Sequence, residues 1–398
     1  MPSTVLIEKL VYGGDGLARI DGQVLLTPLV LPGEQAAVET AKAKAGMLRG
    51  RLVEVVEASN RRVTPRCEYF GGCGGCQYQH ADYAYQLEQK EAILRETLRR
   101  LGGIRFEGEI GRISGEPWLY RNRVQLHFAN RTVGFHKPGS HEVYAIDHCH
   151  IAAPLLVEAI SKLQKAVKKP EWPTFLRSLE LFTNGTALQL NVQETSKPLA
   201  ARFFEWCGTF LPELAPGAID YEAAGLRFRI SGGSFFQVNR FLVDALVEEV
   251  LDDCSGERAL DLYAGVGLFS LPLAQRFQQV YAVERGGSAF RDLEFNMAQS
   301  ERPLVAVRSP AEDFMDSEAA GQPDLLVADP PRAGLGQQAT AALLRIKPKR
   351  LTIVSCDPTT LARDARPLLE TYRIRKLTLV DLFPQTYHFE TVMHLELN

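Results

Sequence analysis

The sequence contains no apolar run approaching the eighteen or so residues needed to span a bilayer. Its start, Met1-Pro2-Ser3-Thr4, lacks a basic region followed by an apolar stretch. No secretory signal and no membrane partner are therefore expected, and the cytoplasm is the expected compartment. An excess of positive charge is missing too: 45 Lys and Arg face 48 Asp and Glu, for a net charge of −3. A polyanionic partner would have to be held by a local patch. One run qualifies, Lys42, Lys44, Arg49, Arg51, Arg61, Arg62 and Arg66 against Glu54 and Glu57, although a solvated basic face accounts for it equally well. Internal repeats and low-complexity segments are absent. So is an even count of cysteines: the seven stand at 67, 73, 76, 149, 207, 254 and 356. Three of them fall within ten residues, and without an export signal this favours a metal or cluster site over disulfides.

What is present fits a soluble, multi-domain α/β protein: 398 residues, 45% hydrophobic and 23% charged, exceed one ordinary core. Residues 1–58 alternate apolar runs (Val5-Leu6-Ile7, Val24-Leu25-Leu26, Ala36-Ala37-Val38, Leu52 to Val56) with turn signals at Gly13-Gly14-Asp15-Gly16, Asp21-Gly22 and Pro32-Gly33. Five short strands of this kind suit an OB-like β-barrel. Residues 59–235 read as a central α+β domain carrying the cysteine cluster. It includes one helix near 153–167 and another at about 81–101, whose apolar Leu87, Ile93, Leu94, Leu98 and Leu101 suit packing on the next domain. From 236 to 398 short apolar strands alternate with helices, at 259–263, 279–283, 304–307, 325–328, 351–355, 377–382 and 391–397. That rhythm predicts a mostly parallel, doubly wound, Rossmann-like sheet.

The first of these strands runs into Ala264-Gly265-Val266-Gly267, a tight turn that lets a cofactor lie against the backbone. A dinucleotide fingerprint would place a third glycine where Ser270 stands, which counts against NAD and leaves a pyrophosphate-free cofactor such as S-adenosylmethionine. Glu284 ends the second strand, where a carboxylate accepts hydrogen bonds from ribose hydroxyls. Asp261, Glu284 and Asp329, at successive strand ends, point to one crevice. The strand 351–355 delivers Cys356 to the same edge, followed by Asp357-Pro358 and a helix start. A helix N-terminus and Arg332 would both favour its thiolate. Such a thiolate can add to carbon 6 of a uracil, making carbon 5 nucleophilic towards a methyl sulfonium. A base must then remove the carbon 5 proton, and His388 and Glu390 are the candidates, Glu390 the better one.

These segments resemble the RNA 5-methyluridine methyltransferases of ribosomal and transfer RNA nearly end to end. Gly13 to Arg19 is similar to the start of a TRAM domain. Tyr120-Arg121-Asn122-Arg123 and Gly134 to His141 are similar to the family's central domain, and Ser234 to Asn239 to the lead into its catalytic domain. The most specific matches are Asp329-Pro330-Pro331-Arg332 and Ser355-Cys356-Asp357-Pro358 with Leu361 to Asp364. The resemblance implies Cys356 as nucleophile and Glu390 as base. It implies Gln237, Tyr263, Glu284 and Asp329 as contacts of S-adenosylmethionine, and RNA, rRNA ahead of tRNA, as partner of a monomeric enzyme. It further implies that Cys67, Cys73, Cys76 and Cys149 hold a 4Fe–4S cluster. Four thiolates suit zinc as well, with His148 and His150 as further ligands. One departure is Ala264, where many relatives carry a cysteine.

Overall fold

The computed structural model describes residues 2–42, 46–300 and 302–398. Its largest sheet has eight strands, in the order Leu304–Arg308, Phe277–Glu284, Gly256–Leu262, Leu325–Ala328, Arg350–Ser355, Glu390–Leu397, Tyr372–Val380 and Gly111–Ile113. The first five are parallel. The strand Glu390–Leu397 is antiparallel to both its neighbours. The apolar runs are buried on both faces, as a sheet covered by helices on two sides requires. The strands at 259–263, 279–283, 304–307, 325–328, 351–355, 377–382 and 391–397 thus exist with shifted ends.

The helix Tyr83–Thr97 begins at Asp82, whose side chain accepts from the Tyr85 amide, and ends in a π-turn over Leu98–Gly102. Its buried Ile93 and Leu94, with Leu98, pack in one core with Leu361, Ala362 and Ala365 of the helix Pro358–Leu368. The chain then adds Gly111–Ile113 as the outer strand of the large sheet. Three residues are too short to carry a period, so this strand was not legible in sequence.

A second sheet is antiparallel, ordered Val143–Ala145, Thr132–His136, Arg123–Ala129, Leu176–Thr183 and Leu188–Thr195. The helix Pro154–Ala166 covers it, with a second helix, Ala201–Gly208, that the sequence reading missed. That helix has no side-chain cap and is rich in aromatics, so local signals were poor. The hairpin Ile219–Ala223 and Leu226–Ile230 packs on the large sheet's core beside Leu246 and Val247.

Near the N-terminus, Ser3–Leu6 pairs with Gln35–Lys42, and Lys9–Leu10 with Asp15–Ile20. These join Gln23–Pro28 and Leu48–Glu57 in one six-stranded sheet. Because residues 3–10 pair at both ends, the sheet curls back onto its own first segment. Leu10 and Leu31 leave this unit's small core and pack with Tyr78, Ile93 and Leu94.

Candidate active site

Strand register assembles the site. Leu262, Val283 and Ala328 are aligned across the parallel strands, so Tyr263, Glu284 and Asp329 emerge side by side one residue later. Tyr263 takes a left-handed backbone (φ 61°), a strained conformation for a bulky residue. At Gly265 (φ 58°) an added Cβ would meet open space. At Gly267 it would strike Leu271 and Leu293 at 2.8 and 3.0 Å. The first glycine thus leaves room for a cofactor, whereas the second is a packing requirement. Glu284 accepts from the amides of Gly265 (3.0 Å) and Gly286 (3.3 Å), which pins the turn and leaves lone pairs free. Asp261 is buried and receives the Ser270 hydroxyl at 2.5 Å. Burial, despite that hydroxyl, and the nearby Asp329 and Glu284 push its carboxyl up to about 7. Desolvation pushes Asp329 up to about 7 as well.

Gln237 is buried in the segment after Gly232-Gly233. Asn122 donates to its carbonyl at 3.0 Å and Arg123 to the Ser234 carbonyl at 2.9 Å. Asp292, itself buried, accepts from both the amide and hydroxyl of Ser231 and from the Ser234 hydroxyl. Phe236 packs against Tyr221 at 4.7 Å and belongs to the same buried core as Ala264, Val266 and Leu268 of the glycine turn.

Across the antiparallel pair Ser355 faces Thr391, so the next step sets Cys356 opposite Glu390. Asp357 caps the following helix, accepting from the Thr359 amide at 2.8 Å. Burial pushes the Cys356 thiol up to about 12, the carboxyls of Glu390 and Asp329 add to it, and Arg332 opposes them. The Arg332 guanidinium is exposed and lies 3.8 Å from Asp357, so much of its field goes to water and to that carboxylate. Glu390 is buried with one carboxyl oxygen lacking a hydrogen-bond partner among the described residues. Burial and Asp329 raise it well above the carboxylate range. Burial, Arg332 and Lys90 bring His388 down to about 4, so its ring is neutral.

Two further residues, which sequence reasoning did not single out, frame this pair. Tyr12, from the N-terminal unit, donates its hydroxyl to the Cys356 carbonyl at 2.9 Å. Gln385 (φ 69°), in the loop before Glu390, accepts at its carbonyl from the amides of Gln77 (3.0 Å) and Tyr78 (2.9 Å). Its side-chain oxygen accepts from Nε2 of the buried Gln86, and its own amide donates to Oε1 of the same Gln86, both at 3.0 Å. Isolated tyrosines and glutamines carry no sequence signal for such long-range contacts.

Residues 218–398 match the tRNA (Uracil-5-)-methyltransferase family, and residues 3–53 match the TRAM domain. A 23S rRNA (uracil(1939)-C(5))-methyltransferase RlmD from Shewanella woodyi is 33% identical, over 98% of this chain and 95% of its own. The chain belongs to the RNA uracil-C5 methyltransferase family. An uncharacterized RNA methyltransferase from Aquifex aeolicus is 32% identical, over 99% of this chain and 98% of its own. The crystal structure of Pyrococcus abyssi tRNA (uracil-54, C5)-methyltransferase in complex with S-adenosyl-L-homocysteine is similar throughout, with a TM-score of 0.75 and 26% identity. It covers 99% of this chain and 100% of that one.

Away from Cys356, this family member gathers Cys67, Cys73, Cys76 and Cys149 around a cavity of about 190 Å³, whose lining mixes apolar Phe70, Phe135 and Ile151 with polar Gln79, Arg121 and Gln125. Among the described residues, the one set of three or more His, Cys, Asp or Glu ligand atoms lying within 4.8 Å of one another is Cys67, Glu68 and His150. No three of the four sulfurs are that close together. A zinc ion with Zn–S bonds of about 2.3 Å would draw its sulfurs to within about 4 Å. His148 and His150 lie 3.1 Å apart at Nε2, beside Glu68.

The basic run is largely paired. Arg49 meets Asp15, Arg51 meets Glu39, Arg61 meets Asp82 and Glu88, and Arg62 clamps the buried Glu34. Arg66 stacks on Trp118 at 5.2 Å. Lys44 and the side chain of Lys42 lie outside the described residues.

Proposed function

We propose that the protein methylates carbon 5 of a uridine in 23S rRNA, using S-adenosylmethionine and a covalent Cys356 adduct. The observation that carries this reading is the cross-strand placement of Cys356 opposite Glu390, beside the row Tyr263, Glu284 and Asp329. When bound, the sulfonium donor supplies an electrophilic methyl group and a positive charge. Glu284 is placed to take the ribose hydroxyls, and Gln237, Tyr263, Gly265 and Asp329 to complete that crevice. A positive charge held beside Asp329 would shift its carboxyl, Glu390 and the Cys356 thiol towards ionisation, offsetting the burial that chiefly holds them protonated and the repulsion of neighbouring carboxyls that adds to it for Glu390 and Cys356. Cys356 then adds at carbon 6 of the uracil, and carbon 5 takes the methyl. Glu390 removes the carbon 5 proton, and the sulfur leaves as the ring double bond re-forms.

Higher identity to the ribosomal relative, 33% against 26% for the tRNA enzyme, favours 23S rRNA over tRNA. The four-cysteine pocket fits a 4Fe–4S cluster better than zinc, because its sulfurs are spread too widely for a single ion. Cys67, Cys73, Cys76 and Cys149 would hold that cluster. The curled N-terminal sheet is read as an OB-like RNA-binding barrel over 1–58, ahead of a central unit over 59–235 and the catalytic unit over 236–398. The deciding experiment maps 5-methyluridine in ribosomal and transfer RNA from cells with and without the gene. Loss of one ribosomal 5-methyluridine is expected. Loss confined to tRNA would move the target, and no loss anywhere would reject the activity.

A further inference from the structure

We infer that Tyr12 is a positioning residue for the nucleophile, so that the N-terminal barrel completes the catalytic centre as well as binding RNA; this rests on the activity proposed above. Three observations converge on it. The Tyr12 hydroxyl donates to the main-chain carbonyl of Cys356 at 2.9 Å. Burial, with Asp357 adding to it, raises the hydroxyl's pKa, so it stays a donor at every working pH. The ring stands edge-on to Tyr387 (5.4 Å) and Phe389 (6.0 Å), the residues that lead into Glu390.

One side chain therefore touches both halves of the mechanism. The hydrogen bond fixes the peptide plane between Cys356 and Asp357, and with it the direction of the Cα–Cβ bond that aims the sulfur. The ring packs against the approach to the base. The barrel is held there by more than this contact. Leu10 and Leu31 enter the catalytic core, and a Cβ at Gly14 would come within 3.2 Å of Gln77 and Tyr387. Tyr12 thus reports to the nucleophile whether the barrel is seated. A nucleophile displaced by even about 1 Å loses near-attack geometry, and such losses reach about a hundredfold.

Tyr12→Phe deletes the hydroxyl and keeps the ring. In the full-length holoprotein, acting on unmodified 23S rRNA made by transcription, kcat is expected to fall about tenfold. KM for RNA, KM for the methyl donor and Tm are expected to stay near the wild-type values. Independently of RNA, iodoacetamide should alkylate Cys356 several-fold faster in the variant, because the loosened loop exposes a thiol that is half-buried in the wild type. Tyr12→Leu, which also removes the ring, should show a larger kcat loss. Unchanged kcat in Tyr12→Phe, or a rise confined to KM for RNA, would overturn the assignment and leave Tyr12 as packing or as an RNA contact. If wild-type protein fails to methylate that RNA, the proposed target is wrong. The alkylation rates then decide the role of Tyr12, equal rates overturning it.

Discussion

In the proposed mechanism Cys356 and Glu390 divide one reaction between them, and single substitutions separate their parts. Cys356→Ala should fold and bind S-adenosylmethionine normally while losing all methyl transfer, measured with labelled donor. Glu390→Gln is nearly isosteric but cannot take a proton. It should accumulate a methylated protein–RNA adduct that survives denaturing gels, and adding Cys356→Ala should erase that adduct. Turnover at the wild-type rate by Glu390→Gln would remove Glu390 from the base's role. Asp261 offers a pH test free of substrate. Its carboxyl, raised to about 7, stays protonated in the folded protein at pH values where the unfolded chain, near its ordinary pKa of about 4, has already ionised. The stability this provides is complete below about pH 4 and is lost as pH rises towards 7. Asp261→Asn keeps an acceptor for Ser270 and has no proton to lose. Its ligand-free Tm relative to wild type should therefore climb between pH 4.5 and 8, and a constant difference would count against the raised carboxyl.

Among the elements, the barrel strands show why charge runs mislead. Seven cations in sequence suited an RNA face or a solvated face equally, and folding brings carboxylates from other segments against Arg49, Arg51, Arg61 and Arg62. Arg62 belongs to the fold. Glu34 is fully buried, and although burial alone would raise its carboxyl, Arg62 and the amides of Leu31 and Ser59 outweigh that and hold it low. Arg62→Ala should cost about 3–5 kcal/mol by leaving a buried charge unpaired, read as a loss of barrel stability in denaturant. Arg49 and Arg51 are exposed and remain the candidates for phosphate contact. Reversing both to glutamate should weaken RNA binding and flatten its salt dependence, by roughly one unit of slope per lost contact. An unchanged slope would make them a solvated face.

For the molecule as a whole, the cysteine pocket and the catalytic loop are joined by a short path. Cys76 is followed directly by Gln77 and Tyr78, whose amides bind the Gln385 carbonyl five residues ahead of Glu390. Protein purified without oxygen should be brown and carry about four irons per chain. Stoichiometric zinc without visible absorbance would replace that assignment. If the cluster is there, Cys149→Ser should lower the thermal stability of the central unit, because it would release a distant segment from that cross-link.

Much of this was legible beforehand because it is local. The period of the apolar runs, the glycine turn at Gly265, the Asp-Pro-Pro-Arg and Ser-Cys-Asp-Pro segments and the clustered cysteines are all read within a few residues. The glycine turn and the two Asp-Pro segments lie where a strand ends and a helix begins, so the sequence alone determined a doubly wound sheet and the residues along its working edge. Tertiary structure decided the rest, because energies there depend on groups distant in the chain. Burial, with the carboxyls of Glu390 and Asp329, pushes the Cys356 thiol up to about 12, against the pull of Arg332. Long-range carboxylates pair with Arg49, Arg51, Arg61 and Arg62, a three-residue strand from another segment joined the large sheet, and Tyr12 crossed 344 positions to reach the Cys356 carbonyl. Periodicity records which face of an element is buried; it does not record which partner is buried against it, and the pKa values and hydrogen bonds of a site depend on the partner.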